Sequence, residues 1–231
     1  AFNLISPTFF ANSSTGNKYS LWVNVYGVSE RYLNVYGEKD LRAQMNQFFH
    51  RTYTHPVDGT TLDMKMLCNW YWYDETAILE TGKGTKDWNF YRYAETLLSA
   101  AEAIAQSSGV NAEAAGYLAQ VKARANMEGK DVSTIASELQ RLGKQAFIEE
   151  CWKERLREFP LEMKIWDDCV RTGKFPQISA TNKGEVQFVD LIGAKNGSGA
   201  TFKATDLYWP IPVNEIQRNP NLTQNEGYSA K

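Results

Sequence analysis

Cysteine is scarce in this 231-residue chain, with Cys68, Cys151 and Cys169 the only three. They form no C-x-x-C pair and no zinc spacing, which excludes a disulfide scaffold and a thiolate metal site. Cys151 and Cys169 fall on apolar helical stripes, where a free thiol acts as a small hydrophobe. Histidine is scarcer still. His50 and His55 stand without H-E-x-x-H or G-x-S-x-G, so neither a zinc hydrolase nor a Ser-His-Asp triad has support. The GKGTK run at 82 to 86 lacks the phosphate-loop spacing and reads as a turn. No metal and no cofactor is expected. Long apolar runs are missing too, so no segment reads as a membrane-spanning helix. Charge of one sign is also lacking: 25 Lys and Arg are interspersed with 27 Asp and Glu for a net charge of −2, which gives nucleic acid no basic footprint.

Aromatics are abundant, with 7 Trp and 12 Tyr, more ring surface than a core of this size needs, which keeps a stacking surface in play. Residues 1–89 read as a loop-rich aromatic segment with short strands such as LWVNVY and MLCNWYWY, a tight turn at Asp58-Gly59, and one helix over about 38–50. Residues 90–172 read as a helical core. RYAETLLSAAEAIAQ repeats Ala94, Leu97, Leu98, Ala101 and Ala105 at helical spacing, and NAEAAGYLAQVKARA follows with Asn111 as its cap. From Arg92 to Ala125 this pair is 34 residues long, the period of a tetratricopeptide repeat, and one such pair cannot bury its own face. The first residues carry neither an initiator Met nor a leader pattern, which fits either a removed signal or a fragment. Because a lone repeat cannot stabilise itself, helices upstream of Ala1 are expected. Ser133 is expected to cap a third helix, and a further pair meets at Pro160 and closes at Gly173. Residues 173–231 read as a loop-rich tail whose prolines forbid helix and central strand and which packs back through Trp209, Ile211 and Ile216.

The stretch WKERLREFPLEMKIWDDCVR, Trp152 to Arg171, crowds charge around an apolar stripe. Glu150, Glu154 and Glu158 share one helix face, and a glycosidase needs two carboxylates across a scissile bond. Lys153, Arg155 and Arg157 lie close enough in sequence to neutralise them, which favours a hub of ion pairs over catalysis.

That stretch also resembles the helix pair of the SusD/RagB family of outer-membrane nutrient-binding lipoproteins, through Glu154, Arg155, Glu158, Glu162, Trp166, Asp168 and Arg171. Arg92, Tyr93, Ala94 and Glu95 resemble the family's Arg-Tyr-Ala-Glu helix, and WPIPVNEIQRNPNLTQNEGY its C-terminal signature. Asp40-Leu41-Arg42 is a weaker match to its Asp-x-Arg. The chain departs at Met163-Lys164-Ile165, where the family has Gly-His-Arg, and at Pro160. Family members are about twice this length and begin with a lipidated Cys, so the resemblance is to the C-terminal half. It implies a mainly α fold: a tetratricopeptide-like helical core with long loops and little β structure. It also implies non-catalytic binding of an oligosaccharide or polysaccharide at the outer-membrane surface. The partner it implies is a SusC-like TonB-dependent transporter, and membrane association would come through an N-terminal lipid absent from this chain.

For the ligand the residues offer Asn69-Trp70-Tyr71-Trp72-Tyr73-Asp74. Strand alternation sends Trp70 and Trp72 to one side and the two tyrosines to the other. Sugar C–H faces stack on flat rings, and Asn69 and Asp74 flank them for hydroxyl contacts. A core strand is the competing reading. Trp22 and Tyr26 are further ring candidates, chosen by location and chemistry. A glycoside hydrolase and a peptide-binding helical-repeat scaffold are the alternatives in other classes.

Overall fold

The computed structural model describes residues 28–71, 73–77, 80, 86–87, 89–160 and 162–229, and the candidates Trp22, Tyr26 and Trp72 lie outside them. Over these residues the fold is mainly α, with long loops and two small two-stranded sheets. The chain divides into two compact units, one of Ala1–Glu158 with Ile178–Val186, the other of Phe159–Gln177 with Gln187–Lys231.

In the first unit, α1 (Tyr93–Ser108), α2 (Ala112–Ala123), α3 (Val132–Leu139) and α4 (Lys144–Glu158) carry the core. The stripe read from the sequence is the buried one: Leu98, Ala101 and Ala105 of α1 meet Ala114, Ala115 and Leu118 of α2, all fully buried. Alanine at these positions leaves room for close helix approach, while Leu98, Leu118 and Phe147 supply the apolar volume, about 1.5–3 kcal/mol for each large side chain buried. Gly109, at φ 83°, ends α1, and Asn111 caps α2 by accepting the Ala114 N–H. The cap of α3 is Asp131, not Ser133. The Asp131 carboxylate accepts the Thr134 N–H, and Ser133 only donates its hydroxyl to the same oxygen. A carboxylate is the better acceptor there, in the positive field of a helix N-terminus.

The helix expected over about 38–50 is absent. Leu41–Ala43 form one 3-10 turn, Asn46 sits at φ 64°, and β1 (Phe49–Thr54) begins at once. The apolar spacing of Leu41, Met45, Phe48 and Phe49 was misleading: Leu41 and Met45 are exposed, and only Phe49 is buried. β1 pairs antiparallel with β2 (Thr61–Asn69), with a register irregularity between His50 and Thr52. Asp58 and Gly59, the latter at φ 74°, make the turn between the strands.

The second unit holds α5 (Ile165–Thr172), closed by Gly173 in the left-handed region. Strands β3 (Lys174–Ile178) and β4 (Val186–Asp190) form the other sheet, where a loop was expected. The tail is also more ordered than its prolines suggested. Pro212 precedes the short helix α6 (Val213–Arg218), a position that needs no N–H from it. The GAKNGSGATF segment is a tight loop in which Asn196 Oδ1 accepts the Ser198 and Ala200 N–H groups. Ile211 and Ile216 are half-buried, but Trp209 is 88% exposed and does not pack back as expected. Its carbonyl accepts from Asn225, so the backbone is held while the ring stays outside.

Candidate functional site

Two constellations in the first unit carry chemistry. The first is the C-terminal end of α4. A helix end leaves its last carbonyls without intrahelical partners. Here the Tyr32 hydroxyl donates to the Leu156 carbonyl (2.7 Å), the Tyr36 hydroxyl to that of Arg157 (3.0 Å), and Arg92 to that of Glu158 (2.9 Å). Around this end the charges interlock. Arg42 is buried and grips Asp40 with two N–H groups (2.7 and 2.9 Å). Its Nη1 lies 2.9 Å from Glu154 and 3.0 Å from Glu158. Its guanidinium carbon stands 5.8 Å from the centre of the Tyr36 ring, within cation–π range. The second oxygen of Glu158 accepts from Arg92 (2.9 Å) and Arg124 (2.6 Å). Arg157 reaches Glu150 (2.9 Å) and Glu154 (3.2 Å), and Lys122 pairs with Glu150.

Electrostatics decides what this hub does. Burial alone would raise the Glu150 carboxyl, but Lys122 and Arg157 outweigh it and hold the group at about 2. Glu154 is lowered too: its burial is overcome by Arg42, Lys122 and Arg157. A glycosidase acid must keep its proton near neutral pH. Glu150 and Glu154 are held in the opposite state, so neither serves as that acid.

The hub differs from the one read in the sequence. Glu154, Arg155, Glu158 and Glu162 are buried. Of the three neighbouring cations expected to neutralise the acids, Arg157 does so for Glu150 and Glu154. The other partners of Glu154 and Glu158 come from distant segments and not from Lys153 or Arg155. Arg155 instead faces Glu95 of α1 at 3.4 Å. Glu162, Trp166, Asp168 and Arg171 lie in the second unit. There Trp166 is 41% exposed with its ring 5.7 Å from Phe202, and Asp168 pairs with exposed Arg171 at 2.8 Å. The sequence reading missed Lys122, Arg124, Tyr32 and Tyr36. The available signal was the Asp-x-Arg of 40–42, whose arginine is the hub's centre.

The second constellation is aromatic. β2 ends at Asn69, whose side-chain oxygen accepts the Tyr71 N–H and turns the chain. The expected alternation therefore fails: Tyr73 folds back, its N–H bonded to the Trp70 carbonyl, and the two rings stack at 4.6 Å and 17°. His50 of β1 also stacks on Trp70, at 3.9 Å and 13°. Two rings parallel to one indole at these separations overlap unless they take opposite faces. Trp70 is the filling of a three-ring stack, with Tyr53 tilted against it at 6.0 Å. Burial lowers the His50 imidazole, which favours its neutral, flat-stacking form. Asn69 is fully buried and cannot reach a ligand hydroxyl; it is a turn residue. Asp74 is half-buried and accepts the Ala77 N–H as a cap. Of the sequence-chosen rings, only Trp70 is thus placed among the described residues.

Two concavities flank the hub. A cleft of about 470 Å³ is lined by Lys39, Asp40, Lys122, Lys130 and Glu138 among others. A smaller one, about 310 Å³, is lined by Leu41, Gln47, Phe48 and the Arg92–Arg124–Glu158 cluster.

The sequence model of the SusD family matches residues 13–228. The starch-binding protein SusD of Bacteroides thetaiotaomicron is 36% identical over 138 residues, which cover 60% of this chain and 21% of that protein. A solved SusD superfamily protein from Parabacteroides distasonis superposes with a TM-score of 0.77 at 28% identity, over 97% of this chain and 46% of its own. The chain thus spans less than half the length of these relatives.

Proposed function

The chain belongs to the SusD family, and from that premise we propose that it is the glycan-binding part of a non-catalytic nutrient-uptake protein. In this reading it works at the outer face of the outer membrane, lipid-anchored in its full-length form, and delivers glycan to a SusC-like TonB-dependent transporter. The observation that carries the reading is the three-ring stack. It offers flat, partly exposed rings at the end of a hairpin, while the carboxylates that would argue for hydrolysis are consumed in ion pairs. Because both faces of Trp70 are covered, the sugar-stacking surfaces are assigned to Tyr73 and His50, with Trp70 holding them parallel. Trp72, Trp22 and Tyr26 stay candidates for further subsites, and Asp74 for a polar contact beside them.

The test is affinity electrophoresis of the chain in gels that contain amylopectin or other polysaccharides, paired with a reducing-sugar assay on the same panel. Retardation without sugar release is expected. Steady release of reducing ends would overturn the non-catalytic reading, and no retardation by any glycan would remove the binding one.

A further inference from the structure

Arg124 ends α2 with 58% of its side chain exposed, and it gives Glu158 one N–H at 2.6 Å. The Glu158 oxygen that takes this bond also takes one from Arg92, so a single carboxylate oxygen is divided between two guanidinium groups. Arg42, the third guanidinium in the 310 Å³ lining, is matched by Asp40 and Glu154, which lie outside that lining. A guanidinium has five N–H donors in a planar fork suited to carboxylate. The remaining donors of Arg124 therefore border a concave space whose other walls are Leu41, Phe48 and the Gln47 amide. The Trp70 N–H bonds the Phe48 carbonyl at 2.9 Å, so this wall and the ring stack are built on one stretch of backbone.

We propose that this pocket is an acidic-sugar subsite that takes the carboxylate of a uronic-acid residue on Arg124 and its C–H face on Phe48. This rests on the glycan-binding reading and narrows it to glycans bearing carboxylate groups. The site uses a surface cation that the hub does not need for its own neutrality, since Glu158 keeps Arg92 and Arg42 without it.

The test compares the chain and its Arg124→Gln variant in gels containing polygalacturonate, carboxyl-reduced polygalacturonate or amylopectin. Retardation by polygalacturonate is expected, weakened about tenfold or more by Arg124→Gln and by carboxyl reduction, as loss of a charge-assisted bond implies. Circular dichroism checks the variant's fold, and the carboxyl-reduced polymer tests the same contact without any mutation. Binding of amylopectin but not polygalacturonate overturns this inference while leaving the glycan reading standing. Failure of every polymer overturns both. If polyglutamate or dextran sulfate competes as well as oligogalacturonate does, the pocket reads charge alone and the assignment to uronic acids falls.

Discussion

Arg42 is where most of the hub's energy is at stake. It is the common partner of Asp40, Glu154 and Glu158, and all four side chains are nearly or fully removed from water. Removing one member of a buried ion group leaves the others charged and desolvated, which costs about 3–5 kcal/mol. Arg42→Met is therefore expected to lower the unfolding free energy measured by urea denaturation by that order. Arg124→Gln, on an exposed side chain, should cost about 1 kcal/mol or less. Equal losses from the two changes would contradict the burial on which the hub rests. Acid should undo the same network. Glu150 sits at about 2 in the folded chain against an ordinary 4.5, so it binds its proton more readily once unfolded. The stability it contributes is complete above about pH 4.5 and is lost as pH falls toward 2. Denaturation midpoints across pH 2 to 6 should fall most steeply below 4.5, and Glu150→Gln should flatten that fall.

Elements with strong local periodicity were legible in the sequence, and those fixed by distant partners were not. α1 and α2 followed directly from an alanine-rich stripe and the cap at Asn111, because their information lies within one or two turns. The segment around Arg42 has helical spacing yet takes a 3-10 turn and a strand. Its arginine is drawn to Glu158, 116 residues away, and Asp40 accepts the Arg42 N–H where a helix would have continued. The aromatic run misled for a similar reason. Composition showed a ring cluster, but the buried Asn69 oxygen, which stops the strand and brings Tyr73 back over Trp70, acts through a hydrogen bond that no pattern displays. That geometry changes what Trp70→Ala should do. Removing the middle ring separates His50 from Tyr73, so retardation by whichever polysaccharide the chain binds should fall by about tenfold or more, the scale of one or two stacked-ring contacts. Far-UV dichroism should hold, since none of the three rings belongs to α1–α4. Unfolding of the helices in that variant would make Trp70 a core residue and move the ligand surface elsewhere.

At the scale of the whole molecule, the chain leaves the first unit after Glu158 and revisits it once, with Ile178–Val186, before ending in the second. Composition gives no sign of that return, because the segment is an ordinary polar turn between two short strands. Its contribution is polar and specific. Arg31 donates to the Ile178 carbonyl at 2.7 Å, Asn34 to the Ser179 carbonyl at 2.9 Å, and the Gly184 N–H to the Asn34 carbonyl at 2.8 Å. These bonds hold the 3-10 helix Glu30–Val35, and that helix presents Tyr32 and Tyr36 to the end of α4. A surface turn is thus linked by hydrogen bonds to the closing of the hub. Replacing Arg31 and Asn34 together with Ala removes the two side-chain donors to the returning segment, bonds worth about 0.5–1.5 kcal/mol each, so the first unit should lose roughly 1–3 kcal/mol. Hydrogen exchange can localise the loss. Amides of the 3-10 helix and of the last turn of α4 should exchange faster, while those of α5 and α6 keep their protection. Unchanged exchange at Tyr36 and Arg157 would show that the helix end is held without the returning segment.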